Sequence, residues 1–258
     1  MRIVIKIGTS TLTHTNGSVN IRGMELLCKI ISDIKNGGDE VILVSSGAIG
    51  MGTAKLRLSE RPKDIATKQA AAAVGQCELM YIYDKEFGLY NHTVAQILLT
   101  APDLKNADRH EKFENTMKRL IELGALPIIN ENDTVATEEI VFGDNDTLAA
   151  LVAESVGADL LVLLSDIDGL YTADPHKDPN AKIIEEIREI TPEIEAMCGG
   201  AGSAHGTGGM VTKINAAKIA INAGCDMIIA NGSNPALLYD IADGKRVGTR
   251  FFAKGKKQ

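Results

Sequence analysis

The chain has no apolar run approaching the roughly 20 residues that a membrane-spanning helix needs, so a membrane protein is not expected. It also lacks any surplus of positive charge: 27 Lys and Arg stand against 34 Asp and Glu, a net charge of −7. Proteins that grip nucleic acid carry a basic surface to neutralise phosphates. Nucleic acid is therefore not the expected partner, and Lys254-Gly255-Lys256-Lys257 reads as a solvated end. A strand-like run begins directly after Met1 and Arg2, with no cationic leader, apolar leader core or small-residue cleavage site, so the cytoplasm is the expected compartment.

Paired metal ligands are missing too. Cys28, Cys77, Cys198 and Cys225 are scattered without CxxC spacing and are expected as buried free thiols. His14, His92, His110, His176 and His205 show no ligand spacing, so a structural zinc site is not expected. No G-x-G-x-x-G follows the first strand-like run, which argues against a dinucleotide-dependent dehydrogenase.

What remains is an ordinary soluble composition, 45% hydrophobic and 24% charged, in 258 residues. That length suits one α/β domain with a single large core. Continuous apolar runs occur at 3–7, 41–44, 94–99, 126–129, 160–164 and 227–230. Uninterrupted runs of this kind mark parallel strands covered on both faces. Helical periodicity lies between them: Met24, Leu27, Cys28, Ile31 and Ile34 before Gly37-Gly38, a helix over about 64–85, one ending at Gly124, one over 147–157 and one over about 213–224. The alternation predicts a three-layer αβα sandwich on a mostly parallel sheet. Residues 168–204 break the rhythm and predict an elaborated region covering a ligand.

Five polar clusters sit where strands end or helices begin: Lys6–Thr9, Ser45–Gly47, Asn130–Asp133, Gly143–Asp146 and Gly206–Lys213. Open α/β sheets place ligands at those positions. Phosphoryl transfer needs cations on the moving charge, backbone N–H groups around phosphate and polar groups on the acceptor; these clusters offer all three. Lys213 closes a glycine-rich loop at a helix start, where N–H groups and the helix dipole favour anionic oxygens. The loop is not a Walker A motif, and by itself it also fits a helix start with a solvated lysine. Lys6 interrupts an apolar strand, which is costly unless an anion compensates; the alternative is an edge-strand lysine reaching water. Gly8 follows as part of a permissive turn. Seven polar residues at 130–133 and 144–146 exceed what helix capping explains. Two of their carboxylates are placed to orient the lysines, while the amides, Asn130 among them, and Asp133 suit an amino-acid ammonium. Carboxylates also suit a Mg²⁺ shared with ATP oxygens, and Ser165-Asp166 would border a nucleotide.

At these residues the chain resembles the amino-acid kinase family, in its γ-glutamyl kinase branch, from Lys6 to about Phe251. The motifs are Ile128–Asp133, Val141–Asp146, Ser165-Asp166 and Gly206–Met210. The resemblance implies a roughly eight-stranded αβα sandwich and transfer of phosphate from MgATP to the γ-carboxylate of L-glutamate, the first step of proline synthesis. By the resemblance Lys6 and Lys213 would be catalytic, with Asp146 organising them. Ser46, Asp133 and Asn145 would bind glutamate, joined by Gly47 and Asn130 from the cluster reading. The ATP set would be Lys6, Gly8, Ser165, Asp166, Thr207, Gly208, Gly209, Met210, Val211, Thr212 and Lys213. No protein ligand to metal is assigned. Residues 1–258 would form one kinase domain, mainly glutamate-binding before about 150 and ATP-binding after it, a short form without the PUA domain many members carry. A homo-oligomer, dimer or tetramer, and feedback inhibition by proline are further implications. The alternatives are a family member acting on another carboxylate or a carbamate, and a non-catalytic amino-acid sensor on the same scaffold.

Overall fold

The computed structural model describes residues 1–14, 16–135, 145–173, 175, 177–198 and 209–254. Eighteen elements alternate along them: β1 (Arg2–Ile7), α1 (Thr9–Leu12), α2 (Ile21–Asn36), β2 (Glu40–Ser45), α3 (Ala48–Lys55), α4 (Ile65–Gly88), β3 (Val94–Leu99), α5 (Ala101–Lys105), α6 (Ala107–Glu122), β4 (Leu126–Glu131), α7 (Asn145–Ser155), β5 (Leu160–Ser165), β6 (Glu186–Ile187), α8 (Pro192–Cys198), α9 (Met210–Asn222), β7 (Asp226–Asn231), α10 (Leu237–Ala242) and β8 (Thr249–Phe251). They build one eight-stranded sheet in the order β3-β4-β2-β1-β5-β7-β8-β6. Every strand pairing is parallel except β7 with β8.

All six strands expected from apolar runs are present. The two that the sequence did not reveal, β6 and β8, have two and three residues, too short to carry a periodic signal. The helix expected from Lys213 starts three residues earlier, at Met210, with Gly209 as its N-cap residue. Within 168–204 the described chain contains β6 and α8.

Side-chain alternation sorts the strands onto two apolar layers. Val4, Val44, Leu161, Leu163 and Ile229 point into a core with α6, α7 and α9. Ile3, Ile5, Ile7, Leu43, Val162 and Ile228 point into the opposite core, with α2, α4 and α10. Lys6 has the same parity as Val4, so the pleat directs it toward α7 and α9. Because β1 pairs with β2 on one side and β5 on the other, Lys6 is on a central strand and the edge-strand alternative falls. The chain moves outward from β1 through β2 and later returns to lay β5 along its other side. Open α/β sheets hold their ligands at the C-terminal ends of strands where the winding reverses in this way.

On the second face α3 and α4 touch backbone to backbone. A Cβ on Gly52 would lie 1.8 Å from the carbonyl oxygen of Ala71, and one on Gly75 would lie 1.7 Å from that of Ala48. Only hydrogen fits at either position. This contact seats the middle of α4 directly beneath the turn that follows β2.

Candidate active site

The C-terminal ends of β1, β2, β4 and β5 converge with the first turns of α7 and α9. Asp146, in the first turn of α7, is fully buried. Its Oδ1 lies 2.6 Å from Lys6 Nζ, and its Oδ2 accepts from Lys213 Nζ at 3.0 Å. Both lysines are buried as well, at 8% and 3% exposure, which would be prohibitive for unpaired ammoniums. Burial by itself would push the Asp146 carboxyl up; the two lysine charges outweigh it and hold it below the ordinary value of 3.8. Thr212 Oγ donates to Gly209 O at 2.6 Å and lies 3.5 Å from Asp146 Oδ2, so the start of α9 is fastened to the same carboxylate.

A second polar cluster adjoins this one. Asn145 Nδ2 faces Ser45 O at 2.8 Å, Ser46 Oγ at 2.9 Å and Asn130 Oδ1 at 3.0 Å. One amide thus joins the end of β2, the turn after it and β4. Asn130 Oδ1 also accepts from the Glu131 N–H at 2.9 Å, and Asn130 Nδ2 donates to Gln76 Oε1 on α4 at 2.9 Å. Asn130 and Glu131 are the last residues of β4 and are buried, where the sequence reading placed them in the loop beyond it. Ser45 Oγ pairs with Tyr83 OH at 2.9 Å. Gly47 turns the chain from β2 into α3 with φ of 98°, a left-handed conformation that side chains disfavour.

Asp133 is half-buried in a small cleft that Gln76 and the buried Glu131 also line, with Ala48, Ala72, Leu98 and Thr134. Partial desolvation raises its carboxyl above 3.8. Of the carboxylates expected to orient the lysines, Asp146 meets both of them. Gly143 and Asp144 lie outside the described residues.

On the nucleotide side, Ser165 ends β5 and donates to Asp166 Oδ1 at 3.1 Å, with Asp166 exposed just beyond the strand's C-terminal end. The Gly8 N–H is taken by Leu164 O at 3.2 Å. Gly8 therefore contributes close approach in place of a donor: a Cβ there would be 3.9 Å from Lys6 Nζ. Gly209, Met210, Val211 and Thr212 form the N-cap and opening turn of α9. Thr207 and Gly208 lie outside the described residues. Gln76 was missed in the sequence; its one signal is a polar residue at the end of an Ala-rich, Gly-containing helical stretch, Ala70–Gly75. Of the thiols, Cys28 and Cys225 are buried and free, whereas Cys77 is exposed on α4, contrary to expectation.

Residues 1–231 match the Amino acid kinase family, and the chain belongs to that family. More particularly, it is 56% identical over 257 residues to the "Glutamate 5-kinase" of Clostridium perfringens (strain 13 / Type A), covering 98% of this chain and 96% of that one. It is 54% identical to the "Glutamate 5-kinase" of Carboxydothermus hydrogenoformans, covering 100% of this chain and 69% of the relative. Among solved structures, the Giardia lamblia carbamate kinase bound to AMP-PNP matches with a TM-score of 0.68 at 20% identity, over 98% of each chain. An isopentenyl phosphate kinase substrate complex matches equally well, with a TM-score of 0.68 at 20% identity, covering 96% of this chain and 98% of that one. At those identities the likeness is one of fold.

Proposed function

We propose that this protein is a glutamate 5-kinase, transferring the γ-phosphoryl group of ATP to the γ-carboxylate of L-glutamate. The observation that carries the reading is the buried carboxylate of Asp146 with one lysine on each oxygen, in a chain more than half identical to enzymes of that name. The acceptor oxygen attacks the γ-phosphorus in line, an O–P bond forms, and the bond to the β-phosphate oxygen breaks to release ADP. A carboxylate is already ionised near neutral pH, so no general base is required. Asp146 fits that requirement: two cations hold it as a charged anchor and not as a proton acceptor.

In this reading Lys6 and Lys213 meet the charge that spreads over the transferring oxygens, where fixed electrostatics contribute most. Asp146 keeps the two ammoniums at a fixed spacing. Ser46, Gly47, Asn130 and Asn145 shape the acceptor side, and Asp133 takes the glutamate ammonium. Gly8, Ser165, Asp166 and residues 207–213 border ATP. A Mg²⁺ carried on the nucleotide phosphates, an ion that usually keeps several waters, would supply further neutralisation of their charge.

We further propose a single kinase unit over 1–258, with acceptor groups mainly before residue 150 and nucleotide groups mainly after it, a cytoplasmic location, homo-oligomeric assembly and inhibition by proline at the glutamate side. No helix of the described residues is long and apolar enough to cross a membrane. Exposed Tyr81 and Leu89 on and after α4 offer apolar surface for self-association. The decisive assay follows ATP consumption with L-glutamate, L-aspartate, N-acetylglutamate and carbamate, trapping acyl phosphate as hydroxamate. Faster product formation with any acid other than glutamate would overturn the acceptor assignment.

A further inference from the structure

Resting on that acceptor assignment, we infer that Gln76 is a specificity-determining residue whose Nε2 donates to the α-carboxylate of glutamate. The orientation of its amide follows from the network. A backbone N–H can only donate, so the Asn130 atom receiving the Glu131 N–H is Oδ1. A backbone carbonyl can only accept, so the Asn145 atom facing Ser45 O is Nδ2, which then donates to Asn130 Oδ1. Asn130 consequently turns Nδ2 to Gln76, and the Gln76 atom it meets at 2.9 Å is the acceptor Oε1. Nε2 is the end left over. It is buried without a hydrogen-bond partner, on a residue only 8% exposed.

A buried amide with no acceptor costs stability that folded proteins rarely tolerate without function. Gln76 lines the same cleft as Asp133. The two groups are complementary in kind: Asp133 accepts from an ammonium, and the Gln76 amide donates to an anion. An α-amino acid presents those two charges on neighbouring atoms. The Gly75 contact with Ala48 holds this turn of α4 against the start of α3, which lines the same cleft. Gln76 is thus the complement of the part of glutamate that does not react.

Gln76→Glu isolates the donor, because the new carboxylate still accepts from Asn130 Nδ2 while presenting an acceptor to the cleft. Loss of a hydrogen bond to a charged group corresponds to roughly 10- to 100-fold. The variant should raise the glutamate KM by about that factor and leave the ATP KM within about twofold. It should also gain relative activity on L-glutamate α-amide, whose N–H₂ can donate to the new carboxylate. The ratio of kcat/KM for glutamate over the α-amide should fall by at least about tenfold. A ratio unchanged from the wild type, or equal losses on both acceptors, overturns the role of Gln76. If Gln76→Glu does not fold, Gln76→Leu serves: it should lower the same ratio by a smaller factor, since a charged acceptor loses more than a neutral one, and an unchanged ratio again overturns the role. Failure of the wild type to phosphorylate glutamate at all would instead remove the acceptor assignment itself.

Discussion

Lys6 and Lys213 do not touch one another; each holds a different oxygen of a single buried carboxylate. The one carboxylate thus serves as a shared partner for both ammoniums. Two buried lysines are tolerable in the folded protein because Asp146 stands between them.

Removing either cation should therefore act on turnover. Lys6→Ala and Lys213→Ala should each lower kcat by about 10²–10³, the usual loss for one preorganised electrostatic donor. Substrate KM values should change far less. Asp146 keeps one partner in each variant, so both should remain folded with a lower Tm. Steady-state kinetics with a thermal melt on the same samples checks this; near-normal kcat in both variants would contradict it.

Replacing the anchor has a different signature. Asp146→Asn removes the carboxylate that Lys6 and Lys213 share, and breaking a buried pair in this way costs about 3–5 kcal/mol. The folded-state carboxyl is depressed below 3.8. Its contribution to stability is therefore fully present above that pH and disappears as pH falls through the depressed value. Denaturant unfolding of wild type and variant across pH should show a gap that is constant near neutrality and narrows only in strong acid.

The raised carboxyl of Asp133 makes the opposite prediction in a reachable range. Desolvation lifts its pKa above 3.8, so it protonates earlier than an ordinary aspartate as pH falls. The glutamate KM should rise on that acidic limb while the ATP KM stays level. Asp133→Asn should raise the glutamate KM at neutral pH and abolish the acidic limb. An unchanged limb in the variant would place the titrating group elsewhere.

Much of this site was legible before any coordinates. Lys6 stood out because an apolar strand should not contain a lysine without a reason; Asp146 was one of seven polar residues that capping does not jointly explain, and the family resemblance singled it out. What pattern alone could not supply was their meeting: which carboxylate the lysines would choose depends on the pleat parity of β1 and on α7 and α9 sharing one face. Gln76 was illegible for a related reason. It is remote in sequence from every motif, and only the α3–α4 contact brings it beneath Asn130. β6 and β8 escaped because two or three residues show no period.

The tightness of that helix contact is itself testable. Gly75→Ala places a methyl group 1.7 Å from the Ala48 carbonyl oxygen, a distance that forces the helices apart. Overpacking of this kind costs about 1–3 kcal/mol or more. The variant should melt earlier, and its glutamate KM should rise as Gln76 is carried away from Asn130. A Tm and a KM both equal to wild type would show that the contact is looser than the geometry indicates.

The anchor draws on the first strand, the helix after β4 and the helix before β7. Because Lys6, Asp146 and Lys213 lie so far apart along the chain, a growing or refolding polypeptide holds no competent site until α9 has docked. Local turns form early, and pairings between distant segments wait on the closure of long loops. Catalysis is consequently among the last properties such a chain acquires. An incompletely folded molecule lacks the buried Lys6–Asp146–Lys213 pairing altogether.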